Sequence, residues 1–246
     1  MRNFKLVLQY DGSRYLGWQW LPKTDRTVQG RLELALTRLL DEPIAVSGSG
    51  RTDAGVHALG QVASFHSRTA LSCEQILHDL RQVLPEDIGV LSLEEMPEVF
   101  HARLHAKKKT YQYRVWNSDN PCVFERKYVY VLPRTLNVDA MRKAASCLVG
   151  THDFRSFCAK KSDKKSTVRT VETIEIWREG EELRLRFTGN GFLYQMVRIL
   201  TGTLLEVGMG RRTPEEMPAL LEAKERAQAG FTAPAKGLCL MEVCYE

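Results

Sequence analysis

The chain of 246 residues has no pair of cysteines at CxxC spacing. Its six cysteines (Cys73, Cys122, Cys147, Cys158, Cys239, Cys244) are scattered, which argues against a zinc ribbon and against a secreted disulfide framework and leaves them as reduced, mostly buried thiols. No uninterrupted apolar run approaches the length of a bilayer span, and "MRNFKLVLQYDGS" begins directly on an alternating strand pattern. A cytosolic protein without a membrane segment is therefore expected. A large excess of one charge is lacking too: 35 Lys and Arg stand against 30 Asp and Glu, a net +5, so the average charge says little about partners.

Several nucleotide and hydrolase signatures are also missing. A phosphate loop needs GxxxxGK[ST], whereas the glycine-rich "SGSGRTDAGVHALGQVASFH" (Ser47 to His66) has Arg51 where the lysine belongs and Ala45 at the first glycine position. The dinucleotide pattern GxGxxG fails because Asp53 falls at its third glycine, where a carboxylate would repel a pyrophosphate. Ser47 and Ser49 lack the GxSxG frame of a serine nucleophile. "HARLH" (His101, His105) imitates metal spacing but carries Ala102 where a zincin carries glutamate, so no metal site is expected.

What is present is a regular order of short elements. Phe4, Leu6, Leu8 and Tyr10 alternate against Lys5, Val7 and Gln9, predicting a strand that ends at Asp11-Gly12. Val28, Leu32, Ala35, Leu36 and Leu39 behind Thr27 predict a helix. Short strands are predicted at Ile44 to Val46 and Gln61 to Phe65. A second helix starts at Ser72, whose hydroxyl with Gln75 fits a capping box, and Ile76, Leu77, Leu80 and Leu84 line its inner face. A strand from Ile88 to about Leu93 follows. The order then recurs: a strand at Tyr111, Tyr113 and Val115; a helix from Asn137 to Gly150; a hairpin turning at Glu179-Gly180; a long apolar helix from about Phe192 to Val207; and a last strand from Leu238 to Tyr245. Thr213, Pro214 and Glu216 mark a further helix start, limited by Pro218. The pattern predicts an α+β fold of two βαββαβ-like halves, a mainly antiparallel sheet with helices on one face and a cleft between the halves. The expected halves are residues 1–105 and 106–246.

Charge is concentrated locally. "KKKTYQYR" (Lys107 to Arg114) interleaves Lys107, Lys108 and Lys109 with aromatics, and "KKSDKKSTVR" holds Lys160, Lys161, Lys164 and Lys165. Such stretches suit a nucleic-acid backbone with bases to stack; a solvated charged face is the alternative. In the glycine-rich segment one acid, Asp53, stands two residues after Arg51. A neighbouring guanidinium favours the ionised carboxylate, available as nucleophile or base without a cofactor. An Asx-turn capping "AGVHALG" explains the same residues structurally, and the chemistry alone leaves both readings open.

The run "GSGRTDAGVHALGQVASF" closely resembles the signature of the tRNA pseudouridine synthase A (TruA) family. "LQYDGSRYLGWQ", "VFHARLHAKKKTYQYRV", "DFRSFC", "GNGFLYQMVRILTGTLLEVG" and "APAKGL" resemble it in order and spacing across nearly the whole chain. The resemblance implies the pseudouridine synthase fold and an isomerase that turns uridine into pseudouridine in the anticodon stem-loop of tRNA, at positions 38, 39 and 40. It also implies a cytosolic homodimer and no cofactor. By position, Asp53 in "GRTDAG" matches the catalytic aspartate, and Tyr111 matches the residue expected to stack on the target base; without the motif, a strand aromatic facing the core accounts for it. Arg198 lies in an otherwise apolar helix where an unpaired cation is costly, and the family pattern makes Asp53 its partner. Arg51 is expected to displace the uridine or hold a phosphate, and the lysines to contact the backbone. Rival readings are an RNA-binding protein without catalysis and a synthase acting on another RNA.

Overall fold

The computed structural model describes residues 1–159 and 166–246. Its contacts divide the chain into a first unit, Met1–Lys107 with Cys239–Glu246, and a second, Lys108–Leu238.

In the first unit, β1 (Arg2–Tyr10) runs antiparallel between β3 (His57–Ser67) and β4 (Ile88–Met96). Alternation sends its side chains to two faces. Phe4, Leu6 and Leu8 are fully buried, and Phe4 stacks on Phe65 of β3 at 5.1 Å. The helices α1 (Val28–Leu40) and α2 (Cys73–Val83) supply Val28, Leu32, Leu36, Ile76 and Leu80 to the core. Both helix starts are capped. The Thr27 hydroxyl accepts from the Gly30 N–H, and Ser72 and Gln75 form the expected reciprocal box at 3.2 and 2.9 Å. On the other face, Val7 and Val62 join a cluster with Met96, Phe100, Ala102, Val243 and Tyr245, all strand or loop residues.

In the second unit, β5 (Lys108–Trp116), β9 (Glu182–Gly189), β8 (Val168–Glu179) and β7 (Gly150–Asp153) lie side by side in that order, each pair antiparallel. The two-residue β6 (Tyr130–Val131) adds in parallel to β5. Helices α3 (Val138–Cys147), α4 (Met196–Gly208) and α5 (Met217–Ala223) complete it. Every residue of α4 except Arg198 and Glu206 is buried, as expected of a helix that is apolar all round. The architecture is thus mixed α+β with mainly antiparallel strands.

The structure departs from the sequence reading in several places. Residues 44–46 form no strand; pairing is confined to β2 (Ser47–Gly48), opposite Ser64 and Ala63 of β3. The long apolar helix starts at Met196 rather than Phe192, because Gln195 before it adopts a left-handed φ of 60°. β7, which directly follows Leu148 and Val149 at the end of α3, was not foreseen. Thr213 opens a single tight turn at Pro214–Glu216 before α5, and Pro218 sits early in α5, where its missing N–H is not needed. The last strand, β10 (Leu238–Cys244), was expected in the second half. It pairs in parallel with the start of β3, Cys239 opposite His57, and those ladder bonds draw the C-terminus into the first unit.

Candidate active site

Asp53 sits half-buried on the loop between β2 and β3, two residues after exposed Arg51. The loop is tied down from several sides. The Ser49 N–H donates to the Val62 carbonyl at 2.7 Å, the Gly55 N–H to the Tyr15 carbonyl at 3.3 Å, and the Val56 N–H closes a turn onto the Asp53 carbonyl at 3.1 Å. The Thr52 carbonyl accepts from the Trp18 N–H at 3.1 Å. Beneath these backbone bonds lies a buried polar group. The Tyr10 hydroxyl is 2.9 Å from the Thr52 hydroxyl, and Gln61 reaches Ser49, Gly50 and Tyr10. Burial pushes the Tyr10 phenol far up, so it stays neutral as a hydrogen-bonding group.

The segment after β1 packs directly on this loop. Gly17 has φ +105°, and a Cβ there would lie 2.7 Å from the Thr52 carbonyl oxygen. A Cβ on Gly48 would meet the Trp18 ring at 2.5 Å. The Gly12 N–H donates to Nδ1 of buried His57 at 3.1 Å, which joins the end of β1 to the first residue of β3. "YDGSRYLGW" is therefore the wall against which "GSGRTDAGVH" is built, and its glycines are the points of closest approach.

The other two side chains of interest belong to the second unit. Tyr111 of β5 stands opposite Phe187 of β9 and meets Phe192 edge-on at 5.4 Å. It is 8% exposed, whereas Tyr113, two residues on, is fully buried and donates its hydroxyl proton to the Pro234 carbonyl at 2.7 Å. Arg198 is half-buried. Its Nε donates to the Ala233 carbonyl at 2.8 Å and its carbonyl accepts from the Ala233 N–H at 3.1 Å, which fastens α4 to "APAKGL". Burial drives the Tyr113 phenol well above its ordinary range, with the Arg198 charge opposing the rise.

Of the lysines, Lys107 is exposed, and Lys108 and Lys109 are half-buried. Lys108 forms an ion pair with Glu172 at 2.6 Å. Lys160, Lys161, Lys164 and Lys165 lie outside the described residues. His101 and His105 are occupied by backbone: Nδ1 of His101 accepts from the Arg103 N–H at 3.1 Å, and Nδ1 of His105 from the His101 N–H at 2.9 Å. Among the described residues no group of three or more His, Cys, Asp or Glu could hold a metal ion. Sequence reasoning assigned no role to Tyr10, Gly17, Trp18, Thr52 or Gln61. The sequence offered no signal for these beyond the position of Gln61 at the start of the predicted strand 61–65.

The family described as "tRNA pseudouridine synthase" matches residues 6–104 and 144–246. A protein of Anoxybacillus flavithermus named "tRNA pseudouridine synthase A" is 47% identical over 247 residues, with 100% of each chain covered. One of Bacillus cereus named "tRNA pseudouridine synthase A 2" is 45% identical over 243 residues, covering 99% of each. One of Acetivibrio thermocellus, "tRNA pseudouridine synthase A", is 42% identical over 245 residues and 100% of each chain. The match takes in the Asp53 loop, β5 from its sequence relatives, α4 and the C-terminal strand, and the chain belongs to the tRNA pseudouridine synthase family, as an isomerase of the TruA type.

Proposed function

We propose that this synthase modifies uridines 38, 39 and 40 of the anticodon stem-loop, and that Asp53 is its catalytic residue. Substrate and product contain the same atoms. The bond from ribose C1′ to the base nitrogen breaks, the base turns, and C1′ rejoins at C5, whose proton leaves while the nitrogen gains one. Such a reaction needs a placed carboxylate and a displaced base, with no oxidant, reductant or resident cofactor. Asp53 supplies that carboxylate, either by attacking the ribose or by taking up a proton.

The observation that carries the reading is the loop itself. Backbone bonds on both sides of Asp53 and a buried polar group beneath it hold one acid at a half-exposed position two residues after Arg51. A carboxylate held in this way is unfavourable for simple binding to a polyanion, which speaks against an RNA-binding protein without catalysis. The resemblance supports Tyr111 stacking on the extruded base, Arg51 displacing the uridine or holding an adjacent phosphate, and Arg198 acting at the substrate as the partner of Asp53. Extrusion costs a few kcal/mol, which phosphate contacts from Lys107 to Lys109, and from Lys160, Lys161, Lys164 and Lys165, would offset. The resemblance further supports a homodimer working in the cytosol.

Incubation with unmodified tRNA, followed by adduct formation at pseudouridine and primer extension, tests target and reaction together. Product confined to positions 38–40 supports the proposal; product elsewhere, or in another RNA, redirects it. Asp53→Ala should bind tRNA at least as tightly as the parent chain and form no product. Normal turnover by that variant removes the assignment.

A further inference from the structure

The buried group under the Asp53 loop is fully satisfied around one side chain. Gln61 Oε1 accepts from the Ser49 hydroxyl at 2.8 Å and from the Val62 N–H at 3.2 Å, while Nε2 donates to the Gly50 carbonyl at 3.1 Å and to the Tyr10 hydroxyl at 3.3 Å. Those four contacts use both acceptor sites and both donors of a primary amide. They also fix its orientation, since a backbone N–H can only donate and a carbonyl can only accept. Tyr10 passes the linkage on to the Thr52 hydroxyl at 2.9 Å. Ser49 and Gln61 are completely buried, and Tyr10 and Thr52 nearly so. Residues 49, 50 and 52 are thus each tied to a sheet strand, and Asp53 is the next residue.

We propose that Gln61 is a positioning residue for turnover, acting through Tyr10 and Thr52 to fix the backbone from which Asp53 projects. This inference rests on the catalytic reading of Asp53. The physical reason is the sensitivity of a bond-making step to placement: an error of about 1 Å at the reacting group costs on the order of 100-fold in rate. Low-dielectric surroundings make each unmade bond of such a group expensive, so the loop adopts one position rather than several. RNA binding, which draws on phosphate contacts elsewhere, has no comparable dependence on these atoms.

Gln61→Glu keeps the shape and exchanges Nε2 for an oxygen. When ionised, that carboxylate faces the Gly50 carbonyl with no proton to offer; when protonated, it restores one donor. A buried carboxyl titrates above the ordinary range, so the variant gains a pH dependence that the parent chain lacks. At about pH 8, single-turnover kcat should fall on the order of 100-fold with the tRNA KM within about twofold, and relative to the parent it should recover by roughly tenfold at about pH 6. A second pair guards against misfolding: Thr52→Val should lower kcat about tenfold at unchanged KM, and Thr52→Ser should restore it.

Full kcat in Gln61→Glu or Thr52→Val overturns the inference, as does a loss that is independent of pH, resides in KM, or is equal in Thr52→Val and Thr52→Ser. If Gln61→Glu does not fold, the Thr52 pair decides alone. Asp53→Ala, measured alongside, separates the two proposals. Turnover by Asp53→Ala sinks the catalytic reading, whereas its inactivity together with full kcat in the Gln61 and Thr52 variants sinks only the positioning role.

Discussion

Replacing Gly17 by alanine tests how closely the segment after β1 must approach the Asp53 loop. Two effects act together. The φ of +105° lies outside even the left-handed helical region that other residues can enter, which costs about 1–2 kcal/mol. The new methyl would lie 2.7 Å from the Thr52 carbonyl oxygen and 3.2 Å from Asp53 C and Ala54 N, all backbone atoms. Relief requires the two segments to separate, which breaks the Trp18 N–H bond to Thr52, now 3.1 Å, at about 1 kcal/mol more. The sum is about 2–3 kcal/mol, a fall in melting temperature of roughly 4–12 °C for a chain of this size. Gly180→Ala is the control: its φ is +60° and nothing lies within 4 Å of the added carbon, so only about 1 kcal/mol and roughly 2–4 °C are expected. Thermal melts followed by circular dichroism, paired with single-turnover pseudouridine formation, read both consequences. If Gly17→Ala melts no lower than Gly180→Ala and turns over normally, the close packing derived for this loop is wrong.

Two further outcomes are expected. Glu182 is buried, which pushes its carboxyl up, but the guanidinium bonds from Arg114 at 2.9 Å and Arg184 at 3.0 Å outweigh burial and hold it below the usual carboxylate range. Its stabilisation is therefore complete above the ordinary glutamate value of about 4.3 and is lost as pH falls through the lowered folded value. Glu182→Gln should cost about 3 kcal/mol near neutrality, with the parent and variant denaturation curves converging in acid; curves that stay parallel refute the linkage. Alanine at Lys107, Lys108 and Lys109 together should weaken tRNA binding and flatten the plot of log affinity against log salt by about 2. Stability should move by less than about 1 kcal/mol, because the Lys108–Glu172 pair is more than a third exposed on both sides. An unchanged salt slope removes these lysines from the RNA interface.

The elements that were legible in the sequence are those whose information is local. β1 shows as a period-two pattern from Phe4 to Tyr10, and α2 as a capping box followed by Ile76 and Leu80. Misplaced elements depend on partners far along the chain. β2 exists only where β3 offers Ser64 and Ala63, and β10 belongs with His57 because of a ladder that no nearby residue announces. The start of α4 was shifted because an apolar run from Phe192 does not reveal the left-handed turn at Gln195. The candidate site divides in the same way. Asp53 and Arg51 were visible in one short stretch, although chemistry alone left a structural turn as an equal account and motif resemblance was needed to choose. Gln61 could not be seen as a support for that stretch, since its bond to Tyr10 spans 51 positions.

The parallel pairing of β10 with β3 also has a consequence for how the molecule is made. As the polypeptide leaves the ribosome, the strand that begins four residues after Asp53 waits for a neighbour encoded beyond the whole of the second unit. Until the whole of 108–238 has been synthesised, part of that strand presents unpaired amides and carbonyls, the kind of edge that invites aggregation in nascent chains. Loss of β10 would therefore damage the half of the enzyme that was translated first.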